Sequence, residues 1–161
     1  MRRLVFLLMM TIVMVATCPA LGKTPYLTEE ELQTEARQGL EQILDLWRAE
    51  KYGDIYERTI SSGKETKERF MERLAAATLK PACCWEKMQD VKVTVKGDSA
   101  AVVRARVGLE GSVETTSKTR SFKLVKEDGV WKISQTDILA LSGAVKKKTA
   151  HKKKKYYSSS L

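Results

Sequence analysis

The chemistry open to this chain is narrowed first by its one histidine, His151, which lies among C-terminal lysines. A Ser-His-Asp triad, a Cys-His pair and a histidine-rich metal site all need an imidazole inside the fold, so none is expected. Carboxylate and guanidinium chemistry remains. Arg120, or Lys118, is expected to face Asp137 at one end of an otherwise apolar sheet face, where the pair could orient a polar group of a ligand. A desolvated Asp137 would hold its proton more tightly and could serve as a general base. A wet pair at the sheet rim would instead contribute about 0–1 kcal/mol and do no chemistry.

Adjacent Cys83 and Cys84, just before Trp85, could close a vicinal disulfide or hold a soft metal. Neighbouring strand residues point to opposite faces, so both sulfurs meet only in a turn, which Pro81 can supply. The plainer reading is of buried cysteines packing as small hydrophobes. Trp47, Tyr52, Tyr56, Trp85 and Trp131 could line a pocket, although at their spacings they read first as core. The candidate ligand-binding set is therefore Trp47, Tyr56, Arg120, Phe122, Trp131, Gln135 and Asp137. No catalytic residue, metal or cofactor is assigned.

These side chains must be carried by elements that the hydrophobic pattern predicts. Thr28-Glu29-Glu30-Glu31 reads as a capping box. Behind it Leu32, Ala36, Leu40, Ile43, Leu44 and Trp47 recur at helical spacing and mark one buried stripe. Gly39 inside that helix costs roughly 1 kcal/mol relative to alanine, which points to close packing or a bend there. Lys51-Tyr52-Gly53 breaks the helix. Asp54 with Glu57 is expected to cap a second one carrying Ile55, Tyr56 and Ile60. After Ser61-Ser62-Gly63, a third helix buries Phe70, Met71, Leu74 and Ala75 and ends at Pro81.

From Trp85 onward the period becomes two. Val91, Val93 and Val95 alternate with polar residues, and Ala101, Val103, Ala105, Val107 and Leu109 alternate with a face bearing Arg104 and Arg106. The two apolar faces meet only across a loop of odd length, such as Gly97-Asp98-Ser99. Asp128-Gly129 predicts a two-residue hairpin turn that sets Leu124 opposite Ile133, Phe122 opposite Gln135 and Arg120 opposite Asp137. A four-residue loop would bring Lys118 opposite Asp137 instead. Helices first and strands last predict an α+β fold, with three N-terminal helices packed on a curved antiparallel sheet of four or more strands.

The ends carry a different kind of information. Met1-Arg2-Arg3, a 13-residue apolar run from Leu4 to Ala16, and small residues at Ala20 and Gly22 describe a signal peptide over residues 1–22. A helix crossing a bilayer needs about 20 apolar residues, so the run is short for an anchor. Periplasmic or extracellular export is expected, with lipidation at Cys18 and an uncleaved anchor as the two alternatives. Residues 23–145 then form a single domain. Arg2, Arg3 and seven tail lysines account for nine of the 29 basic residues, leaving 20 against 20 acidic ones in that domain. The surplus charge lies in a tail, residues 146–161, read as disordered. Its Lys146, Lys147, Lys148, Lys152, Lys153, Lys154 and Lys155 could contact an anionic envelope surface. Nucleic acid is not expected as a partner, because the domain is charge-balanced by count.

Three stretches carry a resemblance: the Trp47-Arg48-Ala49-Glu50-Lys51-Tyr52-Gly53-Asp54 helix break, the helix from Ser62 to Leu74, and the closing Asp128–Ile133 strand. Together, over roughly residues 30–140, they resemble the nuclear transport factor 2-like superfamily. The resemblance implies a cone-shaped α+β fold with a pocket at its open end; a cystatin-like sheet around one long helix is the alternative. Because that superfamily holds enzymes, ligand binders and scaffolds alike, it implies no activity. The expected function is a non-catalytic exported module that binds a small ligand or protein at the cone mouth. An envelope-associated protein held by its tail, and a pocket acid–base enzyme using Asp137, are the alternatives. A homodimer formed through the sheet is a further expectation.

Overall fold

The computed structural model describes residues 27–60, 65–112 and 114–144. The expected signal peptide, Cys18, His151, the tail lysines and the Ser61-Ser62-Gly63 break lie outside the described residues. Within them the chain is a mixed α+β structure of four α-helices and six strands. In order these are α1 (Glu29–Arg48), α2 (Tyr52–Glu57), β1 (Thr59–Ile60), α3 (Lys67–Ala75), β2 (Lys80–Pro81), a 3-10 turn (Cys84–Lys87), β3 (Met88–Val95), β4 (Ala100–Glu110), β5 (Thr115–Glu127), β6 (Val130–Ser134) and α4 (Gln135–Ser142). The expected arrangement of three helices ahead of four strands is thus corrected. Strands are interleaved among the helices, and a fourth helix closes the described chain.

Helix α1 begins at the capping box: Thr28 Oγ1 accepts from Glu31 N, and Thr28 N donates to Glu31 Oε2 at 2.7 Å. The Glu31 carboxyl is held below its usual range by the Thr28 backbone and hydroxyl donors. Its stripe of Leu32, Ala36, Leu40, Ile43, Leu44 and Trp47 is buried against the sheet. Gly39 sits within that stripe because a Cβ there would lie 2.6 Å from Trp131 Cβ, so helix and β6 touch through a bare backbone. Helix α2 starts earlier than expected, at Tyr52. Its N-cap is Lys51, with no side-chain cap, so Asp54 lies inside the first turn. Ile60 leaves the helix and pairs in β1. Ala75 is exposed and Met71 half-buried, because α3 is short and turns only Phe70 and Leu74 fully inward.

The sheet runs β1-β6-β5-β4-β2, with β3 also on β4; β1 pairs parallel to β6 and the other pairs are antiparallel. Val95 pairs with Ala101 and Val93 with Val103, which leaves Gly97-Asp98-Ser99 as the odd loop that burial demands. The register slips between Gln89 and Lys92, where Asp90 has φ 52°. That bulge inverts the alternation and lets Met88 reach the core from the even phase. In the second hairpin Asp128 and Gly129 both have positive φ, 52° and 76°, and Leu124 pairs with Ile133.

The expected continuation of β6 to Asp137 does not occur. The strand ends at Ser134, so Phe122 does not pair with Gln135, nor Arg120 with Asp137. Ser134 stands at the N-cap of α4 and Gly143, at φ 80°, at its C-cap. The helix buries Ile138, Leu139 and Leu141 in the same core as α1 and the sheet.

Candidate functional site

Of the residues expected to line a cone mouth, most are packed away from solvent. Trp47 is 0% exposed, Phe122 1%, Trp131 4% and Gln135 3%, while Tyr56, Arg120 and Asp137 are half-buried. The aromatic side chains fill the space between α1 and the sheet. Three polar atoms there, Trp47 Nε1, Trp131 Nε1 and Gln135 Nε2, are buried without a hydrogen-bond partner among the described residues. Tyr56 packs edge-on against Phe70, ring centroids 5.7 Å apart.

Arg120 and Asp137 are brought near one another by a different route from the expected one. Arg120 projects from the helix-facing side of β5, and Asp137 comes from the first turn of α4. Burial raises the proton affinity of the Asp137 carboxyl, while Arg120 and then Lys123 act in the opposite direction. Lys118, one step along the same side of β5, donates to the carbonyl of Leu141 at 3.0 Å near the helix C-terminus. The arrangement holds a carboxyl with raised proton affinity near a guanidinium of opposite effect.

The Asp137 environment makes a testable statement about pH. A carboxyl whose folded-state pKa lies above its unfolded value contributes stability below the unfolded pKa, and loses it as pH rises through the folded one. Asp137→Asn is therefore expected to raise Tm at neutral pH and to leave it unchanged in acid. A lower Tm at neutral pH would show instead that attraction to Arg120 outweighs burial.

The opposite face of the sheet is arranged otherwise. On β4 the even-numbered side chains point away from the helices, and Arg104 and Arg106 are exposed there. Lys92 on β3 lies directly opposite Arg104 in the register, and exposed Lys123 on β5 pairs with Val102, one step diagonally from Arg104. Like charges directly opposed across a ladder disfavour pairing. Arg106 is answered by Asp90 at 3.0 Å and Lys132 by Glu127 at 2.9 Å. Among the described residues no carboxylate approaches Lys92, Arg104 or Lys123 within 4.0 Å. Sequence counting missed this cluster because it balances charges over the whole domain; the strand alternation that placed Arg104 and Arg106 on one wet face was the available signal.

At one end of this face stands the 3-10 turn. Cys83 and Cys84 are joined there, with sulfurs 2.12 Å apart, and both residues are exposed. The expectation of buried cysteines is corrected, and so is the reading of Trp85 as core: its side chain is 75% exposed. The turn is tied down by Lys87, whose ammonium meets Asp45 Oδ1 at 2.6 Å and Glu41 Oε1 at 3.2 Å. Burial works against the charge on Lys87, but those two carboxylates prevail and its pKa is raised. Among the described residues no group of three or more acidic, cysteine or histidine side chains could hold a metal. No described helix is long and apolar enough to cross a membrane. No family model matches this chain, and no curated protein matches it.

Proposed function

We propose that this chain is an exported, non-catalytic binding module that takes an acidic partner across the open face of its sheet. The single observation that carries this reading is the Lys92–Arg104 opposition, extended by Lys123, with no compensating carboxylate among the described residues. A fold gains nothing from facing two cations across a ladder, whereas an anion laid over them would be held by both. On the helix-facing side Trp47, Phe122 and Trp131 fill the interior, and the groove that Trp131 reaches is shared with Glu35 and Arg58, a cation with a carboxylate in the same groove. The finer architecture belongs to the same proposal. Helices on one face of a mainly antiparallel sheet, with the other face bare among the described residues, fit the cone of the nuclear transport factor 2-like superfamily, and the apolar N-terminal run fits export. In this reading the lysine tail adds attraction without choosing the site.

The test separates face from tail. With all seven tail lysines replaced by glutamine, the full chain is expected to stay bound to a phosphocellulose column at low salt and to elute as salt rises. Adding Lys92→Gln and Arg104→Gln is expected to abolish retention while Tm is unchanged or higher, because the like-charge opposition is relieved. Loss of retention on neutralising the tail alone would reject the proposal in favour of tail-mediated attachment.

A further inference from the structure

We infer that the groove beside Trp85 binds a sugar ring of an acidic polysaccharide, with uronic acid units as the class of ligand; this rests on the acidic-partner reading above and specifies it. The starting observation is an exposed aromatic carried by an anchored turn. An indole that is 75% exposed would normally fold back onto apolar surface, yet Trp85 stands on a turn fixed from several sides. Lys87 locks the end of the turn to Asp45 and Glu41 on α1. Cys83 N donates to Glu110 Oε1 at 3.1 Å, and Ala82 N donates to Gly108 O at 2.9 Å. The bond between Cys83 and Cys84 closes a small ring immediately before Trp85, with Cys84 in the left-handed region at φ 58°. Beneath the turn, the Glu86 carbonyl approaches so closely that a Cβ on Gly108 would lie 2.4 Å from it. The platform is built before any ligand arrives, which lowers the ordering cost of binding.

The space in front of that platform has matching chemistry. A groove of about 320 Å³ runs along the outer face of the sheet, walled by Trp85 and Glu86 and lined by Gln89, Arg106, Gly108, Thr115 and Ser117, so an acid group of the ligand must sit toward Arg106 and away from the Glu86 carboxylate. An indole face is electron-rich and packs against the C–H bonds on one side of a pyranose ring. Hydroxyl and amide side chains around it suit ring hydroxyls, which both donate and accept. Arg106 completes the set: Asp90 Oδ2 fixes its Nε at 3.0 Å and shares its charge, and a ligand carboxylate would have to be taken by the terminal amino groups. Beyond Arg106 the same face continues to Arg104 and Lys92, so a polymer with a negative charge on each sugar would meet cations along its length. A single-stranded nucleic acid fits less well. Binders of that kind stack successive bases on several rings, and Trp85 is the one aromatic so exposed among the described residues.

Titration with oligogalacturonate, followed by tryptophan fluorescence, tests the inference on the full chain. Trp47 and Trp131 are buried, so a blue shift on binding would come from Trp85 and should vanish in Trp85→Phe. Trp85→Ala is expected to weaken oligogalacturonate binding about tenfold or more, with inorganic polyphosphate binding unchanged. Uncharged galactan oligomers should bind far more weakly than the uronate. Equal affinity of Trp85→Ala and the unaltered chain for oligogalacturonate would overturn the inference. So would a fluorescence shift caused equally by polyphosphate or by a single-stranded DNA oligonucleotide. If polyphosphate binds in an Arg104-dependent way while oligogalacturonate does not bind, the sugar site is refuted and the acidic-partner reading survives. If neither binds, both fall.

Discussion

Replacing Phe122 by alanine is expected to lower the unfolding free energy by about 3–5 kcal/mol. Its ring is 1% exposed on the helix-facing side of β5, opposite Val103 and two residues from buried Leu124. Removing it withdraws a large apolar area from the core and leaves a hole that strand backbone on both sides cannot close. Set against a total of about 5–15 kcal/mol for an ordinary domain, that is a large fraction. Urea denaturation should show a lower midpoint with an unchanged slope. The result also decides between two roles for the residue. A ring lining an open mouth already touches water, and its loss would cost under about 1 kcal/mol. A loss that small would return Phe122 to the ligand-binding set and reopen the helix-facing side as the site.

The difference between Phe122 and Asp137 shows where sequence reading held and where it stopped. Both positions followed from one argument, period-two alternation running back from the Asp128-Gly129 turn. The turn fixed the register, so Leu124 does meet Ile133. Alternation alone continues past Ser134 into Gln135, Thr136 and Asp137, where the polar residues obey helical spacing equally well. Ser134 as an N-cap and Gly143 as a left-handed terminus were visible start and stop signals for α4. They were outweighed because a short apolar run reads as strand or helix with similar ease. The α+β class was legible for a sturdier reason: twenty residues of α1 keep one stripe apolar, and no strand pattern can mimic that.

The outer face was half legible. Alternation on β4 placed Arg104 and Arg106 toward water, and the odd loop Gly97-Asp98-Ser99 already sets Lys92 opposite Arg104, although counting charges over the whole domain hides the pair. The bulge at Asp90 lies beyond that pair and changes the register only toward Gln89 and Met88. The Trp85 platform was less visible still. Its exposure follows from contacts distant in sequence, from Lys87 to Asp45 and from Cys83 to Glu110. In a one-dimensional pattern a tryptophan beside two cysteines is simply apolar, and apolar residues are assigned to the core. Sites built from tertiary anchoring of a short turn leave little periodic trace.

A larger side chain at Gly39 is the second change expected to act strongly, and it sets two opposed effects against each other. In an isolated helix glycine to alanine is favourable by roughly 1 kcal/mol. Here a Cβ would stand 2.6 Å from Trp131 Cβ and 3.0 Å from its Cγ, atoms fixed by β6 that cannot swing aside. Overpacking of this kind costs about 1–3 kcal/mol and more for larger side chains, so Gly39→Ala is expected to be net destabilising. Gly39→Leu should cost about 3 kcal/mol or more, as α1 is forced off the sheet. Gly53 in α2 supplies the internal control, since its nearest side-chain neighbours would be 3.7 and 3.9 Å from a Cβ, in ordinary contact. Gly53→Ala should therefore be neutral or stabilising under the same denaturation assay. Opposite signs at the two positions would show that the sheet, and not helix propensity, governs Gly39. Stabilisation at both would mean that α1 rides farther from β6 than described. The filled core, which turns attention to the outer face as the place where this protein binds, would then lose its support.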